Sequence, residues 1–351
     1  MKKTILFIAM ISTMLSYAGQ KQSNVVSTDN NGWYLKAKLP SDNPAWDNPV
    51  WSVCFDLAGK LLATASRHDG VRIFDVNTHK KIASFPHNIL SVCFDPSGKF
   101  IATGSSDKAC IFDINTGKEI VSFPHDGWVR SVCFDPSGKY LATGSDDGNA
   151  RIFDIKNHQE IISFPHWGAG GLGVSSVCFD PSGNFLATGS YSDGAYIFDI
   201  KNNQKIASFP FSYVDTVLSV CFDHSGKLLA MSSFNNKAYI FNTKTHKEIV
   251  SFSHDHLVYS VCFDPSGKLL ATGSAGPYGE KKGKAHIFDI KTHKEITSFP
   301  HNGTVNSVCF DTSGKLLATG SDEARIFEKQ GIFKQWFQNL RNRMYSLFKS
   351  K

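Results

Sequence analysis

Seven of the eight cysteines stand in one context, Ser-Val-Cys-Phe, at Cys54, Cys93, Cys133, Cys178, Cys221, Cys262 and Cys309. Cys110 alone stands outside it. Thiols can act as nucleophiles, redox pairs or metal ligands, and each role has its own spacing. The chain holds no Cys-x-x-Cys and no His-Glu-x-x-His, so a metal centre has no motif to start from. A residue that returns at one position seven times serves the repeating unit, and Cys packs as a small apolar side chain. The seven are therefore expected as buried free thiols, too far apart on neighbouring strands to form disulfides. Three further patterns invite chemistry and fail on context. Gly168-Ala-Gly170-Gly-Leu-Gly173 spells a dinucleotide fingerprint, but no helix follows it to receive a phosphate. His254-Asp255-His256 offers two imidazoles and no identifiable third ligand, as a solvated loop would. Ser, His and Asp abound without any unique triad arrangement. No catalytic residue, metal or cofactor is expected.

The elements that carry these residues form a repeat. Ser-Val-Cys-Phe begins at Ser52, Ser91, Ser131, Ser176, Ser219, Ser260 and Ser307, with spacings of 39, 40, 45, 43, 41 and 47 residues. Each copy holds four strand candidates rich in β-branched and aromatic residues. Strand a is Val-x-Ser-Val-Cys-Phe, b is Leu-Ala-Thr-Gly-Ser, c is Ile-Phe-Asp and d is Ile-x-Ser-Phe. Asp-Pro-Ser-Gly joins a to b, with Pro and Gly where a tight turn wants them. A lone sheet this short cannot bury both faces; seven stacked radially can. The seventh copy stops at Phe327-Glu328 without a strand d. Tyr34–Pro40 resembles Lys81–Pro86 and supplies one, closing the ring and removing an exposed edge.

These copies resemble the WD-repeat β-propeller family over residues 32–328. The resemblance implies an all-β, seven-bladed propeller that acts as a non-enzymatic scaffold for protein binding. One departure is systematic: the family's Trp-Asp is Phe-Asp at Phe74, Phe112, Phe153, Phe198 and Phe288, Phe-Asn at Phe241 and Phe-Glu at Phe327. The family's His, Ser/Thr, Asp and Trp hydrogen-bond chain maps in the third blade onto His125 or His166, Thr143 or Ser145, Asp147 and Phe153. Phe has no N–H to donate, so that chain is incomplete and rigidity must lean on Phe packing, with the repeated Asp and His serving the turns.

Loop lengths divide the two faces. From the strand-a Cys to the end of strand b there are 12 steps in every copy, and from the strand-c Phe to the strand-d Phe 11 in all six complete copies. The b–c connections run from 6 to 14 steps and the d–a connections from 8 to 15. Alternate connections of a meander share an end, so one face is uniform and the other variable. The variable face carries Trp46, Trp51, Trp128, Trp167, Tyr213, Tyr259 and Tyr278, and function gathers on variable loops held by a rigid scaffold. The residue before Ser-Val-Cys-Phe is Trp51, Leu90, Arg130, Ser175, Leu218, Tyr259 and Asn306. Neutral drift at an exposed position would produce such variety, and so would a binding ring at the mouth of the central channel. The partner surface is assigned to Trp51, Leu90, Arg130, Leu218, Tyr259, Asn306, Trp128, Trp167 and Tyr278.

The ends differ from the body. Met1-Lys2-Lys3, an apolar run from Thr4 to Ser16 and a small-residue exit at Ala18 read as a signal peptide over 1–18; an uncleaved buried helix is the alternative. The protein is thus expected to be exported, periplasmic or secreted. In 329–351, Phe333, Trp336, Phe337, Leu340, Met344, Leu347 and Phe348 recur at helical spacing, with five basic residues and no acid beyond 330. A helix packed on the propeller fits this pattern, as does one that meets a membrane or a partner through Phe333, Trp336, Phe337, Leu340, Arg341 and Arg343. Net charge is +6, yet 19–330 holds 30 basic against 31 acidic residues, which argues against nucleic-acid binding. The expected protein is a monomeric propeller that binds a protein or peptide. The competing readings are an enzyme or cofactor-binding propeller with a site at the channel mouth, and a structural part of an envelope assembly.

Overall fold

The computed structural model describes residues 32–42, 48–85, 88–166, 173–209, 216–277, 280 and 282–330. Strand β1 is Trp33–Leu39. The first sheet is β2 (Val50–Phe55), β3 (Leu61–Ser66), β4 (Gly70–Asp75) and β5 (Lys81–Phe85). The second is β6 (Ser91–Phe94), β7 (Phe100–Gly104), β8 (Lys108–Asp113) and β9 (Glu119–Pro124). The third is β10 (Val129–Phe134), β11 (Tyr140–Ser145), β12 (Asn149–Asp154) and β13 (Gln159–Pro165). The fourth is β14 (Val174–Phe179), β15 (Phe185–Ser190), β16 (Gly194–Asp199) and β17 (Gln204–Phe209). The fifth is β18 (Val217–Phe222), β19 (Leu228–Ser233), β20 (Lys237–Asn242) and β21 (Glu248–Ser253). The sixth is β22 (Val258–Phe263), β23 (Leu269–Ser274), β24 (Lys284–Asp289) and β25 (Lys294–Pro300). The last holds β26 (Ser307–Phe310), β27 (Leu316–Gly320) and β28 (Ala324–Lys329), and its order is β1-β28-β27-β26. The N-terminal strand thus supplies the missing fourth strand of the seventh blade.

The chain divides into two compact units, 36–327 and a smaller one of 1–35 with 328–351. Within the smaller unit, Tyr34 Oη donates to Glu328 Oε2 at 2.6 Å, and Gln330 N donates to Gly32 O at 2.6 Å. Within 36–327 the seven a strands touch one another in a cycle, β2 to β6 and onward to β26, which returns to β2. Hydrogen bonds trace the same cycle. The Ser that opens each Ser-Val-Cys-Phe accepts from the Val N of the next blade: Ser52 from Val92, Ser91 from Val132, Ser131 from Val177, Ser176 from Val220, Ser219 from Val261, Ser260 from Val308, and Ser307 from Val53. The distances are 3.1–3.3 Å.

Packing between blades rests on Phe, as the missing Trp requires. The strand-d Phe of one blade meets the strand-c Phe of the next, with ring centroids 4.3 Å apart for Phe123–Phe153, 4.2 Å for Phe164–Phe198 and 4.0 Å for Phe299–Phe327. Phe85–Phe112, Phe209–Phe241 and Phe252–Phe288 repeat the contact. At the seventh junction Leu39 replaces the strand-d Phe, fully buried in a cluster with Phe74, Val50 and Val53.

The uniform face is built from side-chain-locked turns. Asp135 is buried; its Oδ1 accepts from Tyr140 N at 2.6 Å, its Oδ2 from Ser137 Oγ at 2.5 Å, and Gly138 takes φ of 72°. All seven a–b turns share this buried Asp. In the c–d turns Asp75, Asp113 and Asp289 accept from Thr78 N, Thr116 N and Thr292 N. His79, His158, His246 and His293 occupy the left-handed position there, with φ of 56–60°. Aspartates and these four histidines serve the turns; His125 of the mapped hydrogen-bond chain does not, since its Nε2 lies 2.9 Å from Thr143 Oγ1 on strand b.

Candidate functional site

The residue ahead of Ser-Val-Cys-Phe varies because the sheet does not use it. In β2 the register passes from Val50↔Ser66 to Ser52↔Ala65, leaving Trp51 as an extra residue opposite no partner. The same break falls at Arg130, Ser175, Leu218 and Tyr259. A β-bulge of this kind frees one side chain from the pleat and re-aims it. Trp51 and Tyr259 thus lie at equivalent places, at the same end of their blades. In the second and seventh blades strand a starts two residues later, and Leu90 N and Asn306 N donate to Gly104 O and Gly320 O at 2.9 Å.

The ring members are not alike. Trp51 is 38 % exposed, while Leu90, Arg130, Leu218, Tyr259 and Asn306 are half-buried. Asn306 Nδ2 donates to Val50 O at 3.2 Å, so Asn306 also ties the seventh blade to the first. Ser175 is buried, with its Oγ donating to Val217 O at 2.5 Å, and presents nothing to a partner. Trp128 is 43 % exposed.

The third blade supplies the densest cluster. Arg130 Nε donates to both carboxylate oxygens of Asp146 at 3.0 Å, and its second nitrogen reaches Oδ2 at 2.6 Å. The same guanidinium lies over the Trp128 ring, 4.7 Å from its centroid. Burial pushes the Tyr191 phenol up; Arg130 opposes that shift, and Asp146 and Tyr259 reinforce it. Tyr191 therefore lies within electrostatic reach of Arg130, Asp146 and Tyr259, while Trp128 joins the group through its contact with Arg130. Burial also raises the Tyr259 phenol, so both tyrosines remain neutral hydrogen-bond donors at physiological pH.

Asp146 and Tyr191 are not among the residues singled out from sequence. Both directly follow strand b, a position held in order by Arg67, Ser106, Asp146, Tyr191, Phe234, Ala275 and Asp322. Its backbone N–H bonds across the d–a connection, to Trp128 O for Asp146, Gly173 O for Tyr191 and Thr216 O for Phe234. Variability at this second position was the signal that could have found them.

Trp167, Tyr278, Trp46 and Tyr213 lie outside the described residues, as do residues 1–18 and the tail positions Phe333, Trp336, Phe337, Leu340, Arg341 and Arg343. Among the described residues no group of three or more His, Cys, Asp or Glu side chains converges to hold a metal ion. His254 is committed to the fold: its ring contacts Phe252 O at 3.1 Å and Thr272 Oγ1 at 2.7 Å. The expectation of buried thiols needs correction. All eight are free, as expected, but only Cys110 is buried; the seven strand-a cysteines are half-buried, and Cys54, Cys93, Cys133, Cys178, Cys221 and Cys309 pack at the margins of the blade cores.

The family model described as WD domain, G-beta repeat matches residues 40–75, 79–113, 117–154, 159–199, 246–278 and 293–326, more than half of the chain. The longest unmatched stretch, 200–245, covers most of the fifth blade. There the strand-b motif becomes Leu229-Ala-Met-Ser-Ser233 and the Phe-Asp pair becomes Phe241-Asn242, yet the same four strands form. No curated relative matches the chain.

Proposed function

Because the chain belongs to the WD40 repeat family, whose propellers generally bind proteins, we propose that it captures a protein or peptide on the face formed by its b–c and d–a loops. One observation carries this reading: the bulges free Trp51, Arg130 and Tyr259 from the sheet register at one end of their blades, where Arg130 meets Trp128 and Asp146 and lies within electrostatic reach of Tyr191. Trp, Tyr and Arg are the side chains that dominate binding energy at interfaces. Aromatic rings offer flat apolar area at small entropic cost. The Arg130–Asp146 pair offers both signs of charge, held in register before a partner arrives.

The test compares partner capture by the wild type and by a Trp51→Ala, Arg130→Ala, Tyr259→Ala variant with an unchanged circular dichroism spectrum. Loss of about 2 kcal/mol at one anchor alone weakens binding roughly 30-fold, so the partners should disappear from the variant's pull-down. An identical partner set from both proteins would overturn the assignment of the face.

The same reading takes residues 1–18 as a cleaved signal and the tail from 329 as a second contact element, for a membrane or a further partner, through Phe333, Trp336 and Phe337. N-terminal sequencing of the protein from its host should begin at Gly19; a mature chain beginning at Met1 would remove export from the account.

A further inference from the structure

On strand c the residue two before the Phe differs from blade to blade: Arg72, Cys110, Arg151, Tyr196, Tyr239, His286 and Arg325. It stands opposite a strand-b residue that is usually Thr, as in Thr64↔Arg72, Thr103↔Cys110, Thr143↔Arg151 and Thr272↔His286. Six of the seven side chains are large. The second blade has a thiol there, and beside it opens a cavity of about 120 Å³ whose polar lining includes Asn88, Thr103, Ser105, Asp107, Lys108 and Cys110. A single water needs roughly 10–15 Å³ of such space, so the cavity admits a planar group of several heavy atoms. Asn88 belongs to a d–a connection and Asp107 to a b–c connection, so the cavity opens on the variable face, where the first blade meets the second.

The third blade shows what usually fills this place. Arg151 lies between two carboxylates, 2.6 Å from Asp147 Oδ2 and 3.3 Å from Glu160 Oε2. Arg72 pairs with Asp69 at 3.1 Å and donates to Pro40 O; Arg325 pairs with Glu323 at 2.8 Å and donates to Pro300 O at 2.8 Å. The second blade keeps both carboxylates of the third. Asp107, like Asp147, is the second residue after the last Ser of strand b, and Glu119 stands opposite Phe112 as Glu160 does opposite Phe153. The arginine between them is replaced by Cys110. Asp107 accepts from Ser105 Oγ at 3.3 Å and Ser106 Oγ at 3.5 Å, and among the described residues it has no basic partner. Thr103 is 1 % exposed and its Oγ1 has no hydrogen-bond partner, whereas Thr143, Thr272 and Thr319 each meet a His. Thr64 and Thr188 also lack one, but Arg72 and Tyr196 stand opposite them. Burial pushes the Cys110 thiol up to about 11, which makes it a neutral wall of the cavity.

We propose that this cavity receives the guanidinium of an arginine presented by the partner, in the place that Arg151 fills in the third blade. The source of that arginine rests on the reading of this face as a protein-binding surface; the cavity's preference for guanidinium does not. A guanidinium is planar and carries five donors, which suits a carboxylate and a hydroxyl acceptor side by side. Asp107 supplies the charge and Thr103 Oγ1 a buried acceptor. Lys108 opposes a second cation, but its Nζ lies 3.4 Å from Glu119 Oε2 in a partly exposed pair, so its charge is already met there and screened.

The experiment titrates the full-length protein at low ionic strength with N-acetyl-arginine amide, and in parallel with N-acetyl-citrulline amide, which has the same shape and no charge. TROSY spectra follow the amides of Thr103, Asp107 and Cys110. The arginine probe should shift them saturably in the millimolar range, and the citrulline probe should not. Asp107→Asn should weaken the probe about tenfold, as the loss of a charged hydrogen bond does. Cys110→Arg should fill the cavity from within and abolish the shifts; if it does not fold, Asp107→Asn carries the test. Absent shifts, equal shifts from both probes, unchanged affinity in Asp107→Asn or persisting shifts in Cys110→Arg would each overturn the proposal. So would inorganic phosphate moving these amides where the arginine probe does not, which would make the cavity an anion site. The Trp51→Ala, Arg130→Ala, Tyr259→Ala variant should bind the probe with wild-type affinity. A failed titration thus strikes the arginine cavity alone, and the assignment of the face stands or falls by its own pull-down.

Discussion

Three histidines keep the His–Thr part of the hydrogen-bond chain that Phe in place of Trp leaves incomplete. His125, His254 and His301 each bridge the preceding Phe carbonyl and a strand-b Thr: Nδ1 lies 2.9–3.1 Å from the carbonyl and Nε2 2.7–2.9 Å from Thr143, Thr272 or Thr319. The carbonyl can only accept, so Nδ1 carries the proton and the Thr hydroxyl donates to Nε2. A second proton, on Nε2, would reverse the bond with the Thr hydroxyl and bury a charge. Burial pushes His254 down to about 4 and His301 to about 3. His166, buried with neither ring nitrogen hydrogen-bonded, is pushed to about 4 by the same cause. An unfolded histidine takes its proton near pH 6.5. The sign follows: stability is full above that pH and falls as pH drops toward 4, because the unfolded chain binds protons that the folded chain refuses. His301 alone should cost about 2 kcal/mol between pH 7 and pH 5. Urea unfolding at both pH values should show that loss in wild type and a correspondingly smaller one in His301→Gln, where the amide keeps a donor and an acceptor but cannot titrate. Equal losses in the two proteins would remove His301 as the cause.

At the scale of strands and turns, legibility in the sequence follows locality. The Asp-Pro-Ser-Gly turns were readable because one carboxylate and one positive φ complete the whole device within six residues, as Asp135 and Gly138 show. The Phe–Phe contacts between blades were readable once Phe replaced Trp at one position in every copy. The bulge was not. Trp51 and Arg130 vary in type, but that the sheet register steps around them depends on how the opposing strand closes, and no short motif encodes it. The candidate site was legible by halves for the same reason. Arg130 and Tyr259 belong to one variable position and Asp146 and Tyr191 to another; only the fold places the two positions side by side. The seven strand-a cysteines are a similar case. Seven equivalent cysteines read as packing, and packing is what Cys does most often. Their partial exposure is a property of the assembled blades and not of any one copy.

At the scale of the whole molecule, a ring differs from a row. A linear repeat array frays from its ends, since each end unit has one neighbour. Here the first and seventh blades are neighbours. Val50 N donates to Ser321 O at 2.6 Å, Val53 N to Ser307 Oγ at 3.1 Å and Thr312 Oγ1 to Leu57 O at 3.0 Å. Arg72, buried against Asp69, donates to Pro40 O and lies over Phe74. Leu39 fills the place that Phe takes at the other six junctions, with a smaller side chain and a strand that comes from the far end of the chain. This junction is closed by contacts between the most distant parts of the sequence, so it carries the largest loop-closure cost and should open first. Leu39→Ala and Leu186→Ala each empty a fully buried Leu site, and each should cost about 2–5 kcal/mol by that measure alone. Their unfolding should nevertheless differ. Leu186→Ala, inside the fourth blade, should lower the urea midpoint with the slope preserved, because the ring still melts as a unit. Leu39→Ala should reduce the slope as well, and amide exchange should accelerate first in β1, β28 and β2. Parallel slopes and uniform exchange in the two variants would mean that closure through Leu39 does not hold the ring together.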